Sequence, residues 1–456
     1  MQVSKDYQSH FYRYMLTLAI PVAMQNLITS ALNMIDTVMI SALGDAAIAG
    51  VGLANQVFFF YILICFGINT GSSVLIAQYH GAGDFKSLRL VNGFTISLCL
   101  VVGSVFSLAA FFWPQGVMGL LTKDPLIIQA GASYLRLVAL SYLPTALSSA
   151  LGSALLASGT PNLPLFASIV GFITNTFFNY VLIFGQWGFP QMGVGGAALA
   201  TAIARILEFF IIFIFISRTR GVISLLPKDL FAFDRPFIRH YLDITLPVIL
   251  NEAFWSLGQV LYNVAYAMSG REAIAAVQVV ASIQSILFVI IRGLGPACAI
   301  MIGNTIGRGQ LGQVYPLAIR FIKVTLGVGL VMGFGIYLTR DLALSIFSDL
   351  SPQVYANARQ LLVIIALAFV IKAFNSVMVV GVLRGGGDTR FSMYMETSTV
   401  WLVGVPLAFL GAAVLKVPVT WLMVLVLMDE IVKALVGVWR LLSRKWIHPL
   451  KTMVQE

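Results

Sequence analysis

The chain has 456 residues, 59% of them hydrophobic and only 10% charged, with a net charge of +10. A soluble domain carries about 25% charged residues, so this chain has a lipid-facing surface and its length is to be divided by the roughly 20 residues of a membrane helix. The positive charge does not indicate nucleic-acid binding, because Lys and Arg sit in short loops between apolar runs and not on one face of a soluble domain.

The polar start, MQVSKDYQSHFYRYM, lacks a cleavable signal pattern, so the first apolar run is expected to direct insertion. Six long apolar runs follow at about 14–40, 51–76, 91–113, 132–156, 162–184 and 194–216. Six more lie at about 243–267, 276–301, 316–338, 356–383, 391–414 and 417–439. Their apolar residues are continuous and do not alternate, which excludes a β-barrel. The expected fold is an all-α polytopic membrane protein with twelve transmembrane helices in two six-helix lobes. The N-terminal lobe takes residues 1–216, a polar linker takes 217–242, and the C-terminal lobe with a short tail takes 243–456. With the N-terminus inside, the inner loops hold about 16 Lys and Arg against about 6 outside. Both termini and the linker are therefore expected to be cytoplasmic. Six is even, so the lobes enter the membrane in the same sense and the repeats are parallel.

The lobes repeat in sequence. Pro21 recurs as Pro247, Gly44 as Gly270, Gly81 and Gly83 as Gly307 and Gly309, and Gly185 as Gly411. Most intramembrane carboxylates do not recur: Asp36 faces Tyr262 in that alignment, and Glu252 faces Asn26. Such duplicated scaffolds with unequal charges suit transporters, whose symmetric part forms the path.

A carboxylate at the centre of a membrane helix costs at least about 2.5 kcal/mol and tends to be functional. Asp36, in ALNMIDTVMIS, and Glu252, in LPVILNEAFWSLGQ, stand out, and neither has a basic residue one turn away. Asn175 and Asn179 are four apart on one face of the fifth run, as are Ala197 and Thr201 on the sixth. With Asp36 they would form an all-oxygen nest for a hard cation or a proton. The same amides also suit hydrogen bonds from helix to helix, and spacing does not choose between the two. Arg205 with Glu208, and Glu430 with Lys433, are three apart and expected to pair on their own helices. Lys372 and Arg292 are expected to snorkel or pair across helices. Glu396, close to Arg390, is expected at the membrane interface.

Cys65, Cys99 and Cys298 fall in apolar runs and read as small buried hydrophobes. His10, His80, His240 and His448 fit no metal spacing, and no Walker lysine motif is present. A membrane-embedded enzyme would need a nucleophile with its base, or a metal set, and the sequence offers neither; no pore-loop motif points to a channel. The run Gly385-Gly386-Gly387 reads as a turn. Met24, Met34, Phe58, Phe59, Phe254, Trp255 and Tyr262 lie on runs that carry the acidic residues, and adaptable Met with flat aromatic walls suits planar organic cations.

The stretches PVAMQNLITSALNMIDTVMISALG, AQYHGAGD, PVILNEAFWSLGQ and LRGGGDTR together resemble the multidrug and toxic compound extrusion (MATE) family, over essentially the whole chain. The resemblance implies a V-shaped central cavity between the lobes and export of organic cations in exchange for H+ or Na+, with no resident cofactor. It places Asp36, Asn175, Asn179, Ala197 and Thr201 at the family's first-lobe cation site, with Na+ possible at Asp36, Asn175, Asn179 and Thr201. Glu252 matches the family's acidic residue of the seventh helix, while Asn375 stands where several bacterial members have an aspartate. Glu252 is therefore expected to be an unpaired carboxylate in a substrate cavity shared with Asn375, Tyr262, Gln25, Met34, Phe254 and Trp255. Expected partners are small-molecule drugs and the lipid bilayer of a bacterial inner membrane, with the protein a monomer. A flippase of a lipid-linked precursor is the alternative within transport, against which no cluster of cavity-directed arginines is seen.

Overall fold

The computed structural model describes residues 11–219, 223, 233–347 and 350–450. Most of the expected linker lies outside them. The described residues form helices and no strands. The first six spans are α1 (Phe11–Ser41), α2 (Asp45–Ala82), α3 (Phe85–Phe112), α4 (Pro125–Ala157), α5 (Asn162–Phe184) and α6 (Val194–Thr219). The second six are α7 (Arg235–Met268), α8 (Arg271–Leu287 and Val289–Gly307), α9 (Leu311–Ser345), α10 (Pro352–Leu383), α11 (Thr389–Val414) and α12 (Val419–Val426 and Met428–Ser443).

Eleven of these helices are long and apolar enough to cross a membrane. The remaining one, α12, is split into pieces of 8 and 16 residues and carries Asp429, Glu430, Lys433 and Arg440. The chain is thus an all-α, multi-pass membrane protein. Its helix starts are marked in sequence: the side chains of Asp84 and Asp124 accept the amides of Ser87 and Leu126, and Ser351 accepts that of Val354. Pro125 and Pro352 occupy first-turn positions whose N–H would have no helical partner.

The repeat is visible in backbone shape. Gly44 and its counterpart Gly270 have φ of +97° and +109°, and Gly83 and Gly309 have +74° and +71°. Only glycine adopts these left-handed turns without a steric cost. The same turns therefore join the same helices in both halves.

Two compact units emerge. Among the described residues, one takes residues 11–23, Gly81–Gly83 and 246–450; the other takes Met24–His80 and those between 84 and 245. These units differ from the lobes at 1–216 and 243–456 in the starts of α1 and α7. The physical reason is local packing. Phe11 meets Phe321 edge to face at 5.2 Å, and Gly293 lies against the backbone of Ala19. In the other unit the Tyr241 hydroxyl is 3.0 Å from Thr95 Oγ1, its ring meets Phe94 at 4.8 Å, and Gly71 lies against Thr245. The chain changes unit close to Pro21 in α1 and Pro247 in α7, where each helix lacks a backbone donor.

The glycine run after α10 is a turn, as its sequence implies. Gly386 has no room for a side chain because Trp446, fully buried, lies against it, and its carbonyl accepts the His448 amide at 2.9 Å. Arg440 holds Asp388 beside this turn at 2.7 Å. Cys65, Cys99 and Cys298 are buried and free.

The end of α2 provides a stability test. A Cβ on Gly81 would stand 2.7 Å from the Cα of Asn304, whereas one on Gly312 would meet nothing within 4 Å. Gly81→Ala is expected to cost about 1–3 kcal/mol by overpacking, and Gly312→Ala to leave the melting temperature of the detergent-solubilised protein unchanged. Equal melting of the two variants would refute the close approach.

Candidate functional site

In the unit that holds α2 to α6, the residues singled out around Asp36 come together. Asp36 lies in the last third of α1. Its Oδ1 accepts a hydrogen bond from Asn179 Nδ2. The same amide reaches Asn175 Oδ1 at 2.9 Å, Asn175 Nδ2 donates to Thr201 Oγ1 at 3.2 Å, and the Thr201 hydroxyl donates to the Ala197 carbonyl at 3.1 Å. The periodicity of α5 makes the Asn pair possible, since residues four apart stand one above the other. Asn175 and Asn179 are buried, and Asn179 Oδ1 takes no hydrogen bond among the described residues. The outcome is a chain of oxygens and amides linking α1, α5 and α6. Tyr134 of α4, buried, and Asn55 of α2, joined at 3.4 Å, border it. Sequence reasoning missed both, because neither shares a helix with the site and a Tyr on an apolar run looks like packing.

Below this chain α6 carries an ion pair, as its spacing implies: Arg205 NH1 is 2.8 Å from Glu208 Oε2, and Ser168 Oγ of α5 donates to Glu208 Oε1 at 3.1 Å. A small cleft of about 30 Å³ runs between the two groups, lined by Thr29 and Leu32 of α1, Ser168 and Asn175 of α5, and Thr201, Arg205 and Glu208 of α6. Gln25 and Met34 also belong to α1. Gln25 is half-buried, its carbonyl taken by Thr29, and Met34 is 66% exposed.

In the other unit the expectation for Glu252 fails. Glu252 is not unpaired: Arg384 NH1 lies 2.8 Å from its Oε1, with the arginine side chain only 2% exposed. Glu396, expected at the membrane interface, joins the same group of charges. It accepts Asn251 Nδ2 at 2.6 Å and faces Lys433 Nζ at 3.7 Å and Arg384 NH2 at 3.9 Å. Lys433, also buried, is 3.6 Å from Glu430, which takes Asn375 Nδ2 at 2.6 Å. Tyr262 gives its hydroxyl proton to Asp429 Oδ2 at 2.9 Å, and Lys372 acts by charge on Asp429 and Glu430. Thus Glu252, Asn375 and Tyr262 belong to one buried ionic network across α7, α10, α11 and α12. Phe254 and Trp255 are half-exposed on α7, and Trp401 Nε1 donates to the Phe254 carbonyl at 3.1 Å.

The arginine was missed for a geometric reason. Asn375 and Arg384 are nine apart on α10, which in an α-helix sets them about 180° apart. Residues Val377–Leu383 instead form a wider π coil. Its i→i+5 bonding inserts about one residue per turn and takes back roughly 100°, bringing both side chains toward the same network.

Compared with known proteins, the MatE family model matches residues 21–181 and again 247–410, two stretches whose starts share the offset of Pro21 and Pro247. The uncharacterized transporter YisQ of Bacillus subtilis is 25% identical over 414 residues, 91% of this chain and 90% of that protein. The probable multidrug resistance protein NorM of Thermotoga maritima is 24% identical, over 95% of this chain and 92% of its own length. A MOP superfamily transporter from Pyrococcus furiosus has a structure similar to this chain at a TM-score of 0.85 and 20% identity, covering 95% of this chain and 96% of that one; its likeness bears on the fold alone.

The ionic network makes a stability prediction. Lys433→Met takes from Glu396 and Glu430 the cation they share, leaving Arg384 as the one cation within ion-pair distance of Glu396 among the described residues, and breaking a buried pair in this way costs about 3–5 kcal/mol. Lys433→Met/Glu430→Gln removes one stranded charge and is expected to recover a good part of the loss in a thermal melt. No recovery would show that the two residues are not energetically joined.

Proposed function

The chain belongs to the MatE family, a family of transporters, and on that premise we propose that it is a secondary active antiporter exporting organic, often cationic, drugs in exchange for H+ or Na+. The observation that carries this reading is the Asp36 nest: a carboxylate on α1 reached by Asn179, with the buried Asn179 Oδ1, the Thr201 hydroxyl and the Ala197 carbonyl beside it. Hard cations take oxygen ligands, and a proton can reside on the carboxylate of the same nest. When the site is filled, α1 carries a neutral pair through a low-dielectric medium; when it is empty, it carries an uncompensated charge. Filling therefore biases any two-state rearrangement of α1 by the difference in those costs, which is how a bound ion drives a conformational equilibrium. The relatives with multidrug resistance names, NorM of Thermotoga maritima among them, support drugs as the cargo.

In this reading the second unit does not repeat the first. The place that alignment gives to Asp36 is taken by Tyr262, and Arg384 and Lys433 already answer the carboxylates there. The coupling ion is accordingly assigned to Asp36, Asn175, Asn179, Ala197 and Thr201. The protein is placed in a bacterial inner membrane with both termini in the cytoplasm, a placement that rests on the Lys and Arg of the loops.

Two experiments test these statements. In proteoliposomes with an imposed pH gradient or an imposed Na+ gradient, each alone, Asp36→Asn is expected to reduce drug movement to that of protein-free liposomes while the protein still folds. Wild-type rates in that variant would sink the coupling site. For topology, a single cysteine at Lys86 is expected to resist an impermeant thiol reagent in intact cells and one at Lys123 to react; the reverse pattern would invert the assignment.

A further inference from the structure

The Arg205–Glu208 pair has a position that a mere helix-pairing role does not require. Arg205 stands one turn beyond Thr201 on α6, and its side chain borders the same cleft as Asn175 and Thr201. Glu208 is anchored twice, by Arg205 and by the Ser168 hydroxyl at 3.1 Å, and its side chain is 11% exposed. Arg205 is the looser partner at 24%, with Glu208 as its one carboxylate within ion-pair distance among the described residues. Its charge also acts on Asp36 and on Tyr134. One cation of α6 therefore lies within electrostatic reach of two carboxylates, one in the oxygen nest and one below it. The other polar groups of this neighbourhood are Thr29, Asn55, Tyr134, Ser168, Asn175, Asn179 and Thr201. They are amides and hydroxyls, so among these described residues and the pair itself Arg205 alone is basic.

An emptied Asp36 is a half-buried carboxylate on a membrane-spanning helix without its ion, and such a charge is costly unless another charge answers it. A guanidinium does this well. It stays charged under all conditions and carries five donors in a planar fork, so that it can leave one carboxylate for another without losing its proton. Glu208 in turn gives it a place to stand when Asp36 is filled.

Resting on the antiport reading above, we propose that Arg205 is the exchangeable counter-charge of the coupling site: it rests on Glu208 while a cation occupies Asp36 and turns toward Asp36 as that cation leaves. Arg205 then competes with the transported cation and sets its affinity, and Glu208 sets how strongly Arg205 competes. The two residues of the pair have opposite effects on cation binding, which a structural pair would not.

The test measures cation uptake by purified protein in detergent, with Na+ by calorimetry at fixed pH and with H+ by titration of unbuffered protein. Arg205→Gln removes the competitor and is expected to tighten binding of the coupling cation about tenfold, within the usual span of coupling between sites, while slowing drug exchange in proteoliposomes. Glu208→Gln frees Arg205 for Asp36 and is expected to weaken binding by a similar factor. Arg205→Gln/Glu208→Gln leaves no buried charge of the pair unanswered, so it is the variant least exposed to misfolding, and it is expected to bind as tightly as Arg205→Gln. If the three variants weaken binding together, or leave it unchanged, the pair is structural and the proposal is overturned. If the wild type takes up neither cation, or Asp36→Asn takes up as much as the wild type, the antiport reading itself falls and this proposal falls with it.

Discussion

A charge held inside hydrocarbon must be answered by the protein, because no water is there to do it. This constraint governs the interior of both units. Around Asp36 the answer is neutral: an amide from α5 donates to the carboxylate and a hydroxyl and a carbonyl from α6 extend the chain. In the other unit the answer is ionic, with Arg384 on Glu252 and Lys433 between Glu396 and Glu430. The first arrangement leaves a carboxylate able to take up and lose a cation. The second is already neutralised from within.

The two halves thus share a scaffold and differ in chemistry. Paired glycines set the same left-handed turns, and a proline stands at the same point of α1 and α7. On that common frame Tyr262 replaces Asp36, and the carboxylate it meets, Asp429, is contributed by α12. The sixth helix of each half also carries an ion pair three residues apart, but in opposite order, Arg205 before Glu208 and Glu430 before Lys433. Duplicated folds allow this, since helix packing depends on small residues and side-chain volume while buried charges answer only to their immediate partners.

The packing also explains why α12 departs from the other spans. A helix that supplies Asp429, Glu430 and Lys433 to a buried network gives up apolar length, and it is broken into two pieces at Leu427. Its cost is met by partners on α7, α10 and α11. The segment after it is fixed by Trp446, whose ring fills the space that Gly386 leaves.

Much was fixed by the sequence itself. Eleven of the twelve expected spans follow from the need for about 20 apolar residues per crossing, and the stacking of Asn175 with Asn179 and of Ala197 with Thr201 follows from residues four apart on a helix. The pairs Arg205–Glu208 and Glu430–Lys433 follow from i,i+3 spacing in the same way. These are short-range regularities, and a helix obeys them wherever it is placed. What only the tertiary structure decided is which helices face one another and where a helix departs from 3.6 residues per turn. Glu252 looked unpaired because its partner lies 132 residues away (384 − 252) on α10, and because a π coil turns that arginine toward it. Tyr134 and Asn55 joined the Asp36 site for the same reason, since each comes from a helix that carries none of the site's other residues. Periodicity along one helix holds no record of its neighbours; the contacts that answer a buried charge are made between helices, and only packing sets them.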